Sequence, residues 1–219
     1  MPEKQWHILL PPTIDPEGPE SIADISTFTS RDEYDSYEAL KSDIGRFDAI
    51  VVRTMELSAD LIAAADSLKM IAKHGAGMDN IDIDAATEHG VLVANTPGAN
   101  STAVAEHAVT LLLAVKRRVV QADRATRDGD WQRHLFLGRQ LTGRTLGLFG
   151  AGNTGRKVAT MVSGFDVECL AYDPYVDAET LPENVSLVDS KRELFALADD
   201  VSVHSPLTDE TYHAISTEQ

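Results

Sequence analysis

The sequence has little of what secreted and membrane proteins require. It contains one cysteine, Cys169, which excludes an internal disulfide framework and favours a reducing compartment. Its longest apolar run, residues 108–115, is far shorter than the ~20 residues of a membrane-spanning helix. The first residues lack the apolar segment of a signal peptide. These absences predict a cytoplasmic protein that does not bind membranes.

Positive charge is also scarce. The chain has 19 Lys and Arg against 35 Asp and Glu, a formal net charge of −16. Such a chain is repelled by a phosphate backbone, so we expect no nucleic-acid partner. Its carboxylates fit either an ordinary soluble surface or adaptation to high salt. The seven histidines show no metal-binding spacing such as HExxH, so no metal site is expected.

Short apolar, β-branched runs without alternation are typical of strands buried on both faces of a parallel sheet. They alternate with helical patterns in both halves of the chain, which predicts an α/β fold. The predicted strands are residues 7–10, 47–53, 70–73 and 91–94 in the first half, and 145–149, 167–172 and 201–204 in the second.

A turn-rich break at residues 95–100 divides the chain into two predicted domains, 1–100 and 101–219. A single long helix is expected from Thr102 to about Arg127. At the end, Ser216 to Gln219 form a capping-box pattern with no helix after it. Three predicted strands in the second half are also only half of a six-stranded doubly wound fold. Both observations predict a C-terminally truncated chain.

A glycine motif, G-x-G-x-x-G, follows the apolar strand TLGLF and opens a helix. That context is typical of a dinucleotide-binding turn. Gly150 permits the turn, Gly152 lets the backbone approach a pyrophosphate, and Gly155 lets the helix pack closely on the strand. The amides of Asn153 and Thr154 would face the phosphates at the positive helix end.

An acidic residue, Asp173, stands eighteen residues after Gly155 at the end of the next strand. A carboxylate there accepts both hydroxyls of the adenosine ribose and repels a 2′-phosphate, so it predicts NAD as the cofactor rather than NADP. Ser205 and Pro206 close the third strand at the same edge, where a plain turn and a ligand contact are both possible. Tyr172, Pro174 and Tyr175 fit either an adenine pocket or structural packing.

In the first half, Gly75, Ala76 and Gly77 follow a strand and could expose consecutive backbone N–H groups to a carboxylate. Arg53 ends the neighbouring strand, so its guanidinium could bind the same carboxylate in bidentate fashion. His74 lies beside them, but a lone histidine at a strand end is more often a structural hydrogen-bonding group.

Taken together, these motifs resemble the NAD-dependent D-isomer-specific 2-hydroxyacid dehydrogenases, and the phosphoglycerate dehydrogenase branch in particular. The similarity runs from about Phe47 to the last residue. It rests on four segments, FDAIVVRT, LKMIAKHGAGMDNIDIDAATEHGVLVANTPGANSTAVAEHAVTLLLA, LTGRTLGLFGAGNTGRKVA and ADDVSVHSPLTDET.

The resemblance implies a flavodoxin-like substrate domain followed by a Rossmann domain, incomplete here, and a homodimer acting on a small 2-hydroxy or 2-oxo acid. The implied substrate-binding residues are Arg53, Gly75, Ala76 and Gly77. The implied NAD-binding residues are Ala76, Val104, Gly150, Gly152, Asn153, Thr154, Gly155, Asp173, Ser205 and Pro206.

One departure from the family concerns catalysis. The family's catalytic arginine, acidic residue and histidine follow N-x-A-R-G, A-L-D-V and P-H-x-x segments, and none of these segments occurs in the 219 residues. We therefore expect no catalytic residue in this chain and no dehydrogenase activity from it alone. Two alternatives remain, a non-catalytic NAD-binding protein of the corepressor type and a degenerate pseudo-enzyme.

Overall fold

The computed structural model describes residues 5–208 and 210–216. It consists of two compact α/β units, Met1–Ala99 and Asn100–Gln219, called unit 1 and unit 2 below. The last three residues of the capping-box pattern, 217–219, lie outside the described residues, so the helix start predicted there is not tested.

Unit 1 is built on a five-stranded parallel sheet. The strands are β1 (Trp6–Leu10), β2 (Ser26–Ser30), β3 (Ala49–Val52), β4 (Met70–Lys73) and β5 (Leu92–Ala94). Their spatial order is β2-β1-β3-β4-β5, and every neighbouring pair is parallel. This is the 2-1-3-4-5 order of flavodoxin-like folds, so the predicted architecture is confirmed. The strand order reverses between β1 and β3, where ligands bind in such sheets.

Four helices cross between these strands, α1 (Glu17–Glu20), α2 (Tyr37–Asp43), α3 (Ala59–Ala63) and α4 (Ile83–Glu88), with 3₁₀ turns at Arg31–Glu33 and Ile44–Arg46. The Asp82 carboxylate caps α4 by accepting the Ala85 N–H at 2.9 Å. Ser58, the N-cap residue of α3, makes no such bond, because its hydroxyl pairs with Tyr37 at 2.9 Å. Sixteen buried side chains, including Leu9, form one core around the sheet.

Unit 2 contains a four-stranded parallel sheet. The strands are β6 (Thr145–Phe149), β7 (Glu168–Tyr172), β8 (Val185–Leu187) and β9 (Asp200–Val203). Their order is β8-β7-β6-β9, equivalent to 3-2-1-4 in the doubly wound nucleotide-binding fold. The predicted Rossmann architecture is therefore confirmed for these strands. The strand order reverses between β6 and β9.

The helices of unit 2 are α5 (Ser101–Lys116), α6 (Val119–Arg127), α7 (Asn153–Val162) and α8 (Lys191–Leu197), with 3₁₀ turns at Arg133–Phe136, Ser163–Phe165 and Ala178–Thr180. The single long helix predicted after Thr102 is wrong. The chain ends α5 at Lys116 and passes through Arg118 in a left-handed conformation, with φ at 52°, before α6 begins. Such a conformation interrupts the helical hydrogen bonds, so two helices replace one.

Candidate functional site

The turn between β6 and α7 has the geometry that its glycines allow. Gly150 has a φ of +100°, and a Cβ built on it would lie 2.7 Å from the Ser205 nitrogen. A Cβ on Gly155 would lie 2.3 Å from the Gly150 oxygen, so the helix packs directly on the turn. A Cβ on Gly152, the N-cap of α7, would meet nothing within 4 Å. The turn is therefore tightly packed at Gly150 and Gly155 and open at Gly152.

Asp173, directly after β7, is held against this turn. One carboxylate oxygen accepts the Ala151 N–H at 2.8 Å, and the other accepts the Tyr175 N–H at 3.0 Å. These two backbone bonds fix the side chain, and each carboxylate oxygen retains a lone pair for a further donor. A positioned acceptor of this kind suits paired hydroxyl groups.

A cavity of about 560 Å³ opens at the carboxyl ends of β6, β7 and β9. This is the position where the strand order reverses and where doubly wound sheets bind ligands. Five predicted cofactor residues line it, Gly150, Gly152, Asp173, Ser205 and Pro206. Four other predicted cofactor residues are not among the lining residues. Asn153 and Thr154 lie in the first turn of α7, Gly155 is buried in that helix, and Val104 is exposed on α5.

Several lining residues were not among the predicted site. They are Phe149, Lys191, His204, Thr208, Glu210, Thr211 and Ala214. The cavity is also lined by Tyr172, Pro174 and Tyr175, for which the sequence allowed either an adenine pocket or structural packing. His204 is partly buried, and this burial lowers the pKa of its imidazole below the usual value. The ring therefore stays neutral at pH 7, with Nε2 2.9 Å from the Ser202 hydroxyl.

The glycine loop of unit 1 offers fewer free donors than its sequence predicts. Gly75, with a φ of +149°, donates its N–H to the Lys73 carbonyl at 3.0 Å and to the Thr96 hydroxyl at 3.2 Å. Among the described residues, the N–H groups of Ala76 and Gly77 have no partner. Two amides rather than three are thus available to a carboxylate.

Arg53 lies at a second cavity, about 380 Å³ in volume, where the strand order of unit 1 reverses. Its guanidinium donates to the Thr13 hydroxyl at 3.3 Å. Arg31, which the sequence did not single out, lines the same cavity and donates to the Tyr34 carbonyl at 2.7 Å. Gly75, Ala76 and Gly77 are not among its lining residues. Two guanidinium groups of unit 1 therefore share one concave site.

Side-chain hydrogen bonds connect the segment after β3 to the residues that flank the glycine loop. The Lys73 ammonium donates to the Arg53 carbonyl at 2.7 Å and to the side-chain oxygen of Asn80. The Asn80 amide in turn donates to the Met55 carbonyl at 2.6 Å. These bonds fix the backbone on which Arg53 stands relative to the amides of Ala76 and Gly77.

A metal-ion cluster and a reactive thiol are two further kinds of functional site. In residues 5–208 and 210–216, no group of three or more His, Cys, Asp or Glu side chains is placed to hold a metal ion. No helix in the same ranges is long and apolar enough to cross a bilayer. Burial raises the pKa of the Cys169 thiol to about 11, so it is protonated at pH 7 and a poor nucleophile.

Comparison with known proteins gives one consistent family. Residues 8–218 match the family described as D-isomer specific 2-hydroxyacid dehydrogenase, catalytic domain. The chain is 42% identical over 186 residues to a D-3-phosphoglycerate dehydrogenase of Archaeoglobus fulgidus, covering 84% of this chain and 35% of that protein. It is 37% identical over 206 residues to a hydroxypyruvate reductase of Thermotoga maritima, covering 94% of this chain and 66% of that one.

The solved structures agree with the sequence relatives. An NAD-dependent formate dehydrogenase of Staphylococcus aureus, in complex with NAD, superposes with a TM-score of 0.84 at 27% identity, covering 94% of this chain and 66% of that one. The chain thus spans about a third to two thirds of the length of the proteins that it resembles. It belongs to the family of D-isomer-specific 2-hydroxyacid dehydrogenases.

Proposed function

We propose that unit 2 binds NAD and unit 1 binds a 2-hydroxy or 2-oxo acid, as the cofactor and substrate domains of an NAD-dependent D-2-hydroxyacid dehydrogenase. The reaction is the reversible conversion of a D-2-hydroxy acid to a 2-oxo acid by hydride transfer to NAD. One observation carries the proposal: a glycine turn, a fixed carboxylate and three strand ends meet at one cavity of about 560 Å³. NAD, when bound, supplies the hydride acceptor or donor.

The residues around the cavity fit this cofactor. The open space above Gly152 leaves room for a pyrophosphate against the backbone, and a side chain there would fill it. The first amides of α7, from Asn153 and Thr154, can donate to phosphate oxygens at the positive helix end. Asp173, held by Ala151 and Tyr175, accepts the ribose hydroxyls. Ser205 and Pro206 form the wall at the end of β9.

In unit 1, the substrate carboxylate would be bound by Arg53 together with the free amides of Ala76 and Gly77. Arg31 adds a second guanidinium at the Arg53 cavity. The Asp32 carboxylate lines the same cavity, so its net positive charge suits a single carboxylate bound in bidentate fashion by a guanidinium.

The 219-residue polypeptide by itself is expected to be inactive. Reduction of a 2-oxo acid needs a proton donor beside the carbonyl and a cation that polarises it. The segments that carry these groups in the family do not occur in its sequence. An assay of NADH oxidation with a panel of 2-oxo acids, including phosphorylated ones, should give no rate above background. Turnover of any of them by the purified chain would contradict this expectation.

We also propose that the protein is cytoplasmic and forms a homodimer through α5, α6 and the segment that follows them. Large apolar side chains are exposed there, with Val115, Val120 and Leu137 at 75%, 69% and 76% exposure. Several large exposed apolar side chains in one segment are typical of an interaction site. Sedimentation should give twice the 23.8 kDa chain mass, and Val115→Glu should give the single chain mass. Leu197→Glu, at an exposed position of α8, is the matched control and should remain dimeric. A monomeric native protein would exclude this dimer.

NADH binding tests the cofactor site. We expect Asp173→Asn to weaken NADH binding by about ten- to a hundredfold, because hydrogen bonds to a charged acceptor contribute roughly 1.5–3 kcal/mol each. Fluorescence titration of NADH measures the change. Asp189→Asn is the matched control, since Asp189 is an exposed carboxylate shortly after β8 and outside the cavity lining. A native protein that does not bind NADH, or equal weakening by both substitutions, would refute the assignment.

A further inference from the structure

The cavity of unit 2 carries an unexpected positive charge. Of the described residues that line it, Lys191 is the one lysine or arginine, and the two carboxylates are Asp173 and Glu210. Glu210 is engaged, since it accepts the Tyr175 hydroxyl at 2.6 Å. Asp173 holds the amides of Ala151 and Tyr175. Neither carboxylate forms an ion pair with Lys191 within the part of the chain that the structure describes.

The position of Lys191 is not explained by local structure. It is the first residue of α8, after the N-cap Ser190, whose hydroxyl accepts the Glu193 N–H at 3.2 Å. A lysine is unfavourable there, because the first turn of a helix already carries partial positive charge. Lys191 is also half-buried, and no hydrogen bond joins its side chain to another described residue. A half-buried lysine at a ligand cavity, whose ammonium group has no partner among the described residues, is suited to an anionic group of the ligand.

The identity of that group follows from the cofactor chemistry, and this step rests on the proposed function. The pyrophosphate belongs at the open backbone of Gly152. Asp173 follows β7, and Lys191 begins the helix after β8, the strand that pairs with β7, so both belong to the adenosine side of the cavity. NAD offers only hydroxyl groups at the adenosine ribose. NADP adds a 2′-phosphate at the position where Asp173 acts, and this dianion is the anionic group that a cofactor could present there.

We infer that Lys191 is a second determinant of cofactor specificity, a binding group for the 2′-phosphate whose effect Asp173 opposes. Discrimination against NADP then depends on one negative charge. Removing the Asp173 charge should therefore allow the cavity to bind NADP without the addition of any positive residue, because Lys191 already supplies the cation. Asparagine is the appropriate replacement, since its side-chain oxygen still accepts one of the two amides that hold Asp173.

The test compares ADP-ribose with 2′-phospho-ADP-ribose, which occupy the adenosine side and require no catalytic residue. Calorimetric titrations use the native chain, Asp173→Asn, Lys191→Met and the double variant. In Asp173→Asn the phosphorylated probe should bind more tightly than ADP-ribose. Adding Lys191→Met should weaken the phosphorylated probe by about tenfold, equivalent to ~1.4 kcal/mol, and leave ADP-ribose within about twofold. Lys191→Arg should retain the phosphorylated probe.

The controls separate this inference from the proposed function. Lys157→Met, an exposed lysine of α7 outside the cavity lining, should change neither titration in the Asp173→Asn background. Thermal unfolding checks that each variant folds. If native protein binds ADP-ribose but Lys191→Met, added to Asp173→Asn, leaves the affinity for the phosphorylated probe unchanged, the inference is wrong and the cofactor site stands. If neither probe binds native protein or Asp173→Asn, the proposed cofactor site itself is wrong, and the role of Lys191 falls with it.

Discussion

Alanine at position 150 should destabilise unit 2 by about 3 kcal/mol or more. A left-handed or related positive φ costs a non-glycine residue roughly 1–3 kcal/mol, and Gly150 has a φ of +100°. In addition, the new Cβ would lie 2.7 Å from the Ser205 nitrogen and 2.8 Å from the His204 carbonyl carbon. Both are backbone atoms, so the end of β9 would have to move away from β6. Urea unfolding of Gly150→Ala against native protein measures the loss.

Gly152→Ala is the matched control for this substitution. It lies in the same turn, its φ is −70°, and its Cβ would meet nothing within 4 Å. Stability should therefore change little, while NADH binding should fall because the methyl group occupies the space proposed for the pyrophosphate. A Gly150→Ala protein as stable as the native one would contradict the packing of this turn. Unchanged NADH binding by Gly152→Ala would contradict the location of the pyrophosphate.

Loss of Lys116 should also have a large effect, about 3 kcal/mol of unfolding free energy. Its ammonium group lies 2.5 Å from the Asp200 carboxylate and joins the end of α5 to the start of β9. The lysine side chain is 8% exposed and the aspartate side chain 21% exposed. Lys116→Met would leave a mostly buried carboxylate without its cation, which is costly where solvent cannot replace the partner. Chemical denaturation monitored by circular dichroism measures the change.

A double substitution distinguishes the lost pair from lost packing. Lys116→Met combined with Asp200→Val leaves no unpaired charge, so the double variant should be more stable than Lys116→Met alone. The exposed helical pair Arg127–Asp123 provides a comparison, and Arg127→Met should have no measurable effect because solvent screens both groups. Equal stabilities for Lys116→Met and Arg127→Met would show that Lys116–Asp200 has no special role.

The sequence predicted the α/β architecture because buried parallel strands are apolar throughout. It did not predict β2 and β8, and both have a physical reason. The residues of β2 are STFTS, polar at most positions, and those of β8 are only VSL. Each strand lies at a sheet edge and pairs on one side, so neither needs the continuous apolar run of a central strand. The break at Arg118 carries no glycine or proline, so no local signal marks it.

The site was predictable only where residues of one motif lie close in sequence. The spacing of Gly150, Gly152 and Asp173 identifies a strand–turn–helix unit followed by the next strand. Lys191 and Arg31 carry no comparable signal, because a single charged residue at the start of a short helix usually faces solvent. Their importance appears only when the fold brings them to a cavity. The Gly75 N–H is likewise not free for a ligand because it donates to the hydroxyl of Thr96, which lies twenty-one residues away in the sequence.

The most direct test of the account is a crystal structure of the chain with NAD bound. We expect electron density for the adenosine in the cavity of about 560 Å³, with the ribose hydroxyls on the Asp173 carboxylate and the pyrophosphate over Gly152. Clear density for NAD at any other position, or an adenosine ribose that does not contact Asp173, would contradict it.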